Sequence, residues 1–281
     1  MRVELMRVAA LAAALCTYAI GAAAQSARHP GGDRDPGIPL SMFGISVDAG
    51  EFLLYPFFEY YRDGNAEYAP NEFGAGPDID YRGRYRASEG LIFVGYGVSD
   101  RLAVEFEAAV IRARLEKSPD DTSAMPGVIE ESGLGDVEGQ LRWRWNSPVA
   151  GRPELFSYFE TVFPLQRNRR LIGTQHWEFK FGTGIVHDFS WGAMTLRAAL
   201  EYDGEENSAA AGEYAVEYLR RLSSSVRLFA GVEGSEDEVE GITELQLALT
   251  PSVLLKLNSA FGLTSKATDW APEIGILFRF R

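Results

Sequence analysis

The stretch VEGQLRWRWN, from Val137 to Asn146, alternates between two kinds of residue at every position. Leu141 and Trp143 belong to its apolar set, and Arg142 and Arg144 belong to its polar set. Successive side chains of a β-strand point to opposite faces, so the stretch predicts a strand with one apolar and one polar face. A soluble β-sandwich would bury the tryptophans, whereas a membrane barrel would turn them towards lipid and the arginines towards a wet interior.

The first 24 residues predict export. Arg2 and Arg7 flank the start of the chain, the apolar run VAALAAALCTYAIGAAA follows, and Ala22–Ala24 form a cleavage site of the A-x-A type. We therefore assign residues 1–24 to a secretory signal peptide. A membrane anchor is the alternative, although the run is shorter than the roughly 20 apolar residues of a spanning helix.

Charge and cysteine content exclude several classes of function. The chain of 281 residues has a formal net charge of −13, and loss of residues 1–24, whose Arg2, Arg7 and Glu4 sum to +1, makes it −14. Such an acidic chain is a poor partner for nucleic acid. The single cysteine, Cys16, lies in the predicted signal peptide. We therefore expect no disulfide and no cysteine metal site in the exported protein. No spaced ligand pattern is evident either, so neither a metal nor a cofactor is predicted.

Twelve segments of about 11 residues have the pattern of β-strands, and this length suits a tilted strand that crosses a bilayer. Residues 51–281 are therefore predicted to form an all-β domain, an antiparallel transmembrane β-barrel of about 12 strands. The predicted strands are Glu51–Arg62, Arg86–Val98, Arg101–Ala113, Leu134–Asn146, Glu154–Pro164, Gln175–Asp188, Gly192–Asp203, Gly212–Leu222, Ser225–Ser235, Glu240–Thr250, Ser252–Leu263 and Ala271–Arg281.

The connections between these segments alternate in length. Links such as VSDR, DFSWG, LSSS and TPSV follow even-numbered strands, whereas longer or more acidic links follow odd-numbered strands. Outer-membrane barrels have short periplasmic turns and long external loops. The pattern therefore predicts the outer membrane of a Gram-negative bacterium, with both chain termini in the periplasm.

The polar face of each strand predicts which side chains line the barrel interior. These lumen-lining candidates carry charges of both signs, with an acidic excess: Glu59, Glu105, Glu107, Glu138, Arg142, Arg144, Glu160, Glu178, Lys180, Arg197, Glu201, Glu217, Arg227, Glu244, Lys256 and Arg279. Glu105 and Arg142 should lie at similar heights and form a charge ladder with Glu107, Glu138 and Arg144.

The opposite faces are apolar, and aromatic residues gather at strand ends as two girdles. Three arginines do not fit this division, namely Arg62, Arg112 and Arg220, but they lie at strand ends where a lipid headgroup can receive a charge. Pro56 lies inside the first strand and cannot donate a ladder hydrogen bond, so we expect a β-bulge there. A soluble sandwich stays open as the alternative fold.

No catalytic motif is evident. The three histidines are His29, His176 and His187, and the last two lie near opposite ends of one predicted strand. His187 is followed by Asp188 and Ser190, but adjacent strand residues point to opposite faces, which favours a role in a turn or rim over a catalytic one. The protein is therefore not predicted to be an enzyme.

Residues 25–50 precede the first strand and form a separate N-terminal segment. Its Gly, Pro and Asp content argues against regular structure, yet LSMFGISV is apolar enough to dock inside a barrel. A plug in the lumen and a disordered periplasmic tail are the two alternatives.

Four stretches resemble a known family: EFLLYPFFEYYRD, YGVSDRLAVEFEA, GLGDVEGQLRWRW and the closing APEIGILFRF. They are similar to the outer-membrane β-barrels of the MetA-pathway of phenol degradation transporter family, and the resemblance spans Glu51 to Phe280. It implies a barrel of about twelve strands that passes small, aromatic or otherwise hydrophobic molecules. Arg281 after Phe280 departs from the usual terminal aromatic that the assembly machinery reads.

The leading functional hypothesis is an outer-membrane channel or transporter that passes small solutes through a narrow lumen of mixed charge. The alternatives are a structural or adhesive barrel and, less favoured, a membrane-embedded hydrolase. The expected partners are outer-membrane lipid and lipopolysaccharide, a small-molecule solute and the barrel assembly machinery.

Overall fold

The computed structural model describes residues 47–146, 153–165, 168–205, 207–235 and 237–281. Within these ranges the chain forms twelve β-strands and one short 3-10 helix, Pro70–Phe73. No helix of the described part is long and apolar enough to span a membrane. The predicted signal peptide, and the predicted N-terminal segment up to residue 46, lie outside the described residues.

All twelve strands pair antiparallel with their neighbours in sequence, and β1 pairs with β12, so the sheet closes into a barrel. The predicted fold class is confirmed, and the sandwich alternative is wrong because the strands form one closed sheet rather than two. The strands are β1 (Phe52–Tyr68), β2 (Tyr81–Ser99), β3 (Leu102–Glu116), β4 (Val128–Arg144), β5 (Glu154–Phe163), β6 (Glu178–Phe189), β7 (Gly192–Asp203), β8 (Ser208–Arg221), β9 (Val226–Ser235), β10 (Glu238–Thr250), β11 (Val253–Gly262) and β12 (Ala271–Phe280).

The two ends of the barrel differ, and the predicted alternation of link lengths is confirmed in part: the links after β7 and β9 are short, and the link after β4 is long. Residues 100–101, 190–191, 222–225 and 251–252 are short links after even-numbered strands, and we call this side the turn end. Segments 69–80, 117–127, 164–177 and 263–270 are longer links after odd-numbered strands, and they define the loop end. Residue 47 and residue 281, where the described chain starts and finishes, belong to the turn end because they flank Phe52 and Phe280.

The alternation of VEGQLRWRWN is visible in the exposure of its side chains. Leu141, Trp143 and Trp145 are 50%, 40% and 58% exposed on the outer surface, whereas Gln140 and Arg142 are buried inside. Period-two alternation thus separates an apolar exterior from a polar interior.

The first four strands are longer than predicted, with 15 to 19 residues each. Sequence assigned Asp63–Tyr85 and Arg114–Gly133 mainly to loops, but β1 continues to Tyr68 and β4 begins at Val128. These extensions lack an apolar face, so periodicity does not reveal them, and pairing of the backbone with a neighbouring strand holds them in extended form.

The bulge predicted at Pro56 is absent, and that prediction is wrong. Pro56 stays in register opposite Ile92 of β2, and the β1–β12 pairs resume at Phe57 with the register that they had at Leu54. The missing N–H therefore interrupts the ladder without adding a residue to it. The irregularity of β1 lies instead between Asp63 and Ala66.

Candidate functional site: the barrel interior

The interior near the turn end is filled by side chains, and we call it the packed region. Two clusters of buried residues form it. The first contains Leu53, Tyr55 and Phe57 of β1, together with Val47 from the segment before the strand. The second contains Phe156 and Tyr158 of β5. These named side chains are at most 6% exposed, so they fill most of the interior at this end.

Aromatic rings of the packed region lie flat on glycines of the next strand. Phe156 is opposite Gly184 and Tyr158 is opposite Gly182 in the β5–β6 register. A Cβ atom added to either glycine would overlap the ring beside it. Only glycine allows such close approach of a ring to the barrel wall.

Arg142 is fully paired within the packed region. Its Nε donates to Glu105 Oε1 at 3.1 Å and its Nη2 donates to Gln140 Oε1 at 2.8 Å. The guanidinium also lies 5.4 Å from the ring centroid of Phe156 and 5.8 Å from that of Tyr158. Buried cations are tolerated when they are paired in this way.

Arg197 and Lys180 hold a second network of charges. Arg197 reaches Glu213 at 2.9 Å, Glu217 at 3.4 Å and Glu233 at 2.7 Å. Lys180 contacts Glu160 at 3.2 Å and shares Glu213 with Arg197. Five strands, β5 to β9, are thereby linked across the inner wall.

Two further cations are paired on the remaining wall. Lys256 Nζ lies 3.0 Å from Glu244 and 4.7 Å from the ring centroid of Tyr55. Arg279 contacts Glu51 at 2.7 Å, which closes the β12–β1 seam at the turn end.

The interior towards the loop end carries several carboxylates that have no cation partner among the described residues, although Arg170 and Glu205 at its rim form an ion pair at 3.2 Å. Glu107 and Glu138 face each other in the β3–β4 register. Among the described residues, neither carboxylate has a hydrogen bond or ion pair, and the same holds for Glu89 and Glu178. Like charges directly opposite each other are destabilising in a sheet, so this arrangement needs water or a ligand nearby.

These carboxylates border a space of about 540 Å³, which we call the acidic cavity. Its apolar lining comes from Leu91, Ala109, Ile111, Leu171 and Ile172. Its charged lining comes from Glu89, Glu107, Asp136, Glu138, Glu178, Asp203, Glu205, Arg170 and His176.

The link between β5 and β6 forms one wall of the acidic cavity. Ile172 is 2% exposed and packs on Ala109 and Ile111, inside the barrel. Thr174 N donates to Asp136 Oδ1 at 2.7 Å, and Leu171 N donates to Glu131 Oε2 at 2.8 Å. The loop therefore narrows the interior from the loop end.

The structure places most of the sequence-predicted residues in two groups and leaves Glu59 and Glu201 outside both. Residues in ion pairs of the inner wall are Glu105, Arg142, Arg144, Glu160, Lys180, Arg197, Glu217, Glu244, Lys256 and Arg279, and Arg227 is buried with them. Glu107, Glu138 and Glu178 line the acidic cavity. Glu59 accepts a hydrogen bond from Tyr61 of that cavity, and Glu201 lies opposite Lys180 in register.

The predicted charge ladder is right in one pair and wrong in the others. Glu105 and Arg142 do bind each other. Arg144, however, pairs with Glu154 of β5 at 3.3 Å, and no cation contacts Glu107 or Glu138 in the described part of the chain. Arg144 lies at the turn end of β4, several residues away from Glu138, so its nearest carboxylate is on the other neighbouring strand.

Sequence reasoning missed the interior aromatics because it followed charges alone. Tyr55 and Phe57 lie on the same face of the strand as Glu59, which was assigned to the interior. The alternation along the strand could therefore have predicted that both rings point inwards. It also missed Leu171 and Ile172, an apolar pair within an otherwise polar link. Within the described ranges, no group of His, Cys, Asp or Glu side chains is arranged to hold a metal ion.

Comparison with solved structures gives the class of the fold. No protein-family model and no curated protein matches the chain. An outer membrane channel from Pseudomonas putida F1 superposes with a TM-score of 0.61 at 14% identity, covering 88% of this chain and 100% of that one. The KdgM porin gives 0.53 at 5% identity over 81% and 99%, and the NanC porin gives 0.50 at 9% over 80% and 98%. The chain thus shares the fold of outer-membrane channel and porin barrels.

Proposed function

We propose that the protein is an outer-membrane channel of a Gram-negative bacterium that passes small solutes. The observation that carries this proposal is a closed barrel with an apolar exterior and an interior that contains both charged and aromatic side chains and a cavity. A closed sheet with apolar residues outside satisfies every backbone group without water, as a bilayer demands. Membership of the MetA-pathway of phenol degradation transporter family is part of the proposal and rests on the sequence resemblance.

We infer that the solutes are aromatic or otherwise hydrophobic. Leu91, Ala109 and Ile111 give the acidic cavity an apolar wall, and aromatic rings continue the route towards the turn end. An aromatic solute could replace contacts between rings such as Phe156 and Tyr158 with its own contacts to them, so that the rings keep their apolar contact area. The structural neighbour from Pseudomonas putida F1 is described as an outer membrane channel, and its likeness to this chain is one of fold.

The packed region implies that passage is restricted. Tyr55 and Tyr158 are at most 2% exposed, so a solute must displace rings rather than diffuse through a permanent pore. Ion pairs such as that of Glu105 with Arg142 fix the wall around those rings. We therefore expect small and intermittent ion conductance, in contrast to that of a wide aqueous porin.

The test is uptake of a small aromatic compound by proteoliposomes that contain the full chain. Leu91→Trp places a large side chain in the acidic cavity, and Ile92→Trp places the same side chain on the outer face, where Ile92 is already 45% exposed. Uptake should fall several-fold for Leu91→Trp and stay unchanged for Ile92→Trp. Equal uptake by both folded variants and wild type contradicts passage through this cavity.

A structural or adhesive barrel is the second candidate function. Its supporting observation is the packed region, which would close the barrel permanently. Under that alternative, the wild-type protein assembles normally but shows neither uptake nor conductance. No catalytic role is proposed, since His187 contacts the ring of Phe189 rather than a nucleophile in the described part of the chain.

A further inference from the structure

Five arginines lie together on the outer face of the barrel, at the loop end of β1, β2 and β3. We call this surface the arginine face, and its members are Arg62, Arg84, Arg86, Arg112 and Arg114. On each strand they are separated by an even number of residues from exposed apolar residues nearer the turn end. Their side chains therefore point away from the interior. Positive charge concentrated here is unexpected in a chain whose formal net charge is −13.

Three of these arginines form a row across the strands. Arg62 is opposite Arg86 in the β1–β2 register, and Arg86 is opposite Arg114 in the β2–β3 register. Directly opposed like charges destabilise a sheet. Anions that lie beside such a row reduce this repulsion.

Carboxylates of the protein compensate only part of the arginine face. Arg84 binds Glu116 at 2.7 Å, and Arg114 binds both Glu116 and Glu130. Within the described residues, Arg62, Arg86 and Arg112 have no ion pair at all. Three guanidinium groups therefore remain available to an external anion.

The residues directly below the arginines change from polar to apolar. Arg112 is opposite Ser88 on one side and Ser132 on the other. The next row towards the turn end consists of Phe58, Gly90, Val110 and Leu134. In this row Phe58 is 48% exposed, Val110 is 62% exposed and Leu134 is 41% exposed. A ligand that covers both rows must have anionic groups at one end and hydrocarbon at the other.

We propose that the arginine face binds the phosphate groups of a phosphorylated glycolipid of the lipid A type, with its acyl chains on Phe58, Val110 and Leu134. This inference rests on the proposed outer-membrane location, with the loop end in the outer leaflet, and not on the identity of the solute. Arginine forms forked hydrogen bonds with phosphate. Three adjacent strands span about 10 Å, because neighbouring strands lie about 4.8 Å apart, so two phosphates of one headgroup can each meet arginines.

The experiment is a binding titration of the full chain in detergent, followed by native mass spectrometry. The probes are lipid A with two phosphates, lipid A without phosphate, and phosphatidylglycerol. We expect lipid A with two phosphates to bind at least about tenfold more tightly than either other probe, because each charge-assisted hydrogen bond contributes appreciably to affinity.

Two variants with the same change in charge separate the arginine face from the rest of the surface. Arg86→Gln/Arg112→Gln removes two unpaired arginines and should abolish the preference for phosphorylated lipid A. Arg101→Gln/Arg220→Gln removes two arginines at the turn end and should preserve it. A different migration of unboiled and boiled samples on a gel verifies that each variant is a folded barrel.

The proposal is overturned if phosphate-free lipid A or phosphatidylglycerol binds as tightly as lipid A with two phosphates. It is also overturned if the turn-end variant loses the preference as completely as the variant of the arginine face. Leu91→Trp, which tests the channel, should leave lipid binding unchanged. The two proposals can therefore fail separately.

Discussion

The packed region and the acidic cavity occupy the same barrel, but they differ in whether charged side chains have a partner of opposite charge. In the packed region, each cation considered above contacts a carboxylate, as Arg142 contacts Glu105. In the acidic cavity, Glu107 and Glu138 lie side by side without a cation among the described residues. An ion pair is needed where side chains exclude water, whereas a carboxylate beside a space of about 540 Å³ can be hydrated. The interior is thus divided into a region in which ion pairs link the strands and a region in which carboxylates border open space.

The largest expected difference separates two glutamates on the same face of β3. Glu105→Gln should destabilise the protein by about 3 kcal/mol, because it leaves the buried charge of Arg142 uncompensated. Glu107→Gln, two residues further along, should be neutral or stabilising by about 0.2 to 1 kcal/mol, because it removes one of two opposed like charges. Urea unfolding of both variants in lipid vesicles measures the difference. Equal losses for the two variants contradict the division of the interior.

A pair of glycine variants tests how tightly the packed region is filled. In Gly182→Val the new side chain would overlap the ring of Tyr158, and overpacking of this kind costs about 1 to 3 kcal/mol. Gly90 has nothing within 4 Å of an added Cβ, so Gly90→Val should leave stability unchanged or raise it slightly. The urea midpoint of each variant is the measurement. A stable Gly182→Val variant would mean that the rings move easily, which favours a more open passage.

Ion selectivity should depend on the acidic cavity rather than on the paired charges. Glu107→Gln/Glu138→Gln removes two carboxylates that face the cavity, so the reversal potential of any measurable current should shift away from cation preference. Glu116→Gln/Glu130→Gln removes the same charge from the outer side of β3 and β4, where both residues bind Arg114, and should change selectivity little. A shift of equal size in this control would place the selective charges outside the barrel.

The smallest effect is expected in the 117–127 link at the loop end. Burial of Asp121 acts to raise its pKa, but hydrogen bonds from Ser123 and Tyr68, with Lys117 nearby, outweigh burial and lower the pKa. A carboxyl group with a lowered folded pKa stabilises the fold above its unfolded pKa of about 3.9, and this contribution disappears as the pH falls through the folded pKa.

Hydrogen exchange of the 117–127 link measured from pH 6 to pH 2 should therefore show loss of protection only at the acidic end. Asp121→Asn should remove that pH dependence, since an amide does not titrate in this range. Protection that falls already near neutral pH in the wild type would show that another group controls this link.

Local pattern was sufficient to predict the barrel. Alternation in segments such as VEGQLRWRWN determines the outward face of a strand, because successive side chains point to opposite sides whatever the neighbouring strand is. The number of strands and the short links at one end follow from the same pattern. The sequence also predicted that the side chains of Arg62 and Arg112 face outwards. It did not predict that both lie beside Arg86.

Tertiary structure alone decided what the interior residues contact. Arg144 could have met Glu138 or Glu154, and the register of β4 with β5 selected Glu154. The extensions of β1 to β4 beyond the apolar belt depend on pairing with a neighbour, which leaves no periodic signal in one strand. Ile172 enters the barrel because closure of the sheet creates an apolar surface at Ala109 and Ile111 for it to cover. Sequence determines the face of each strand because that property is local, whereas partners across the barrel exist only after the sheet has closed.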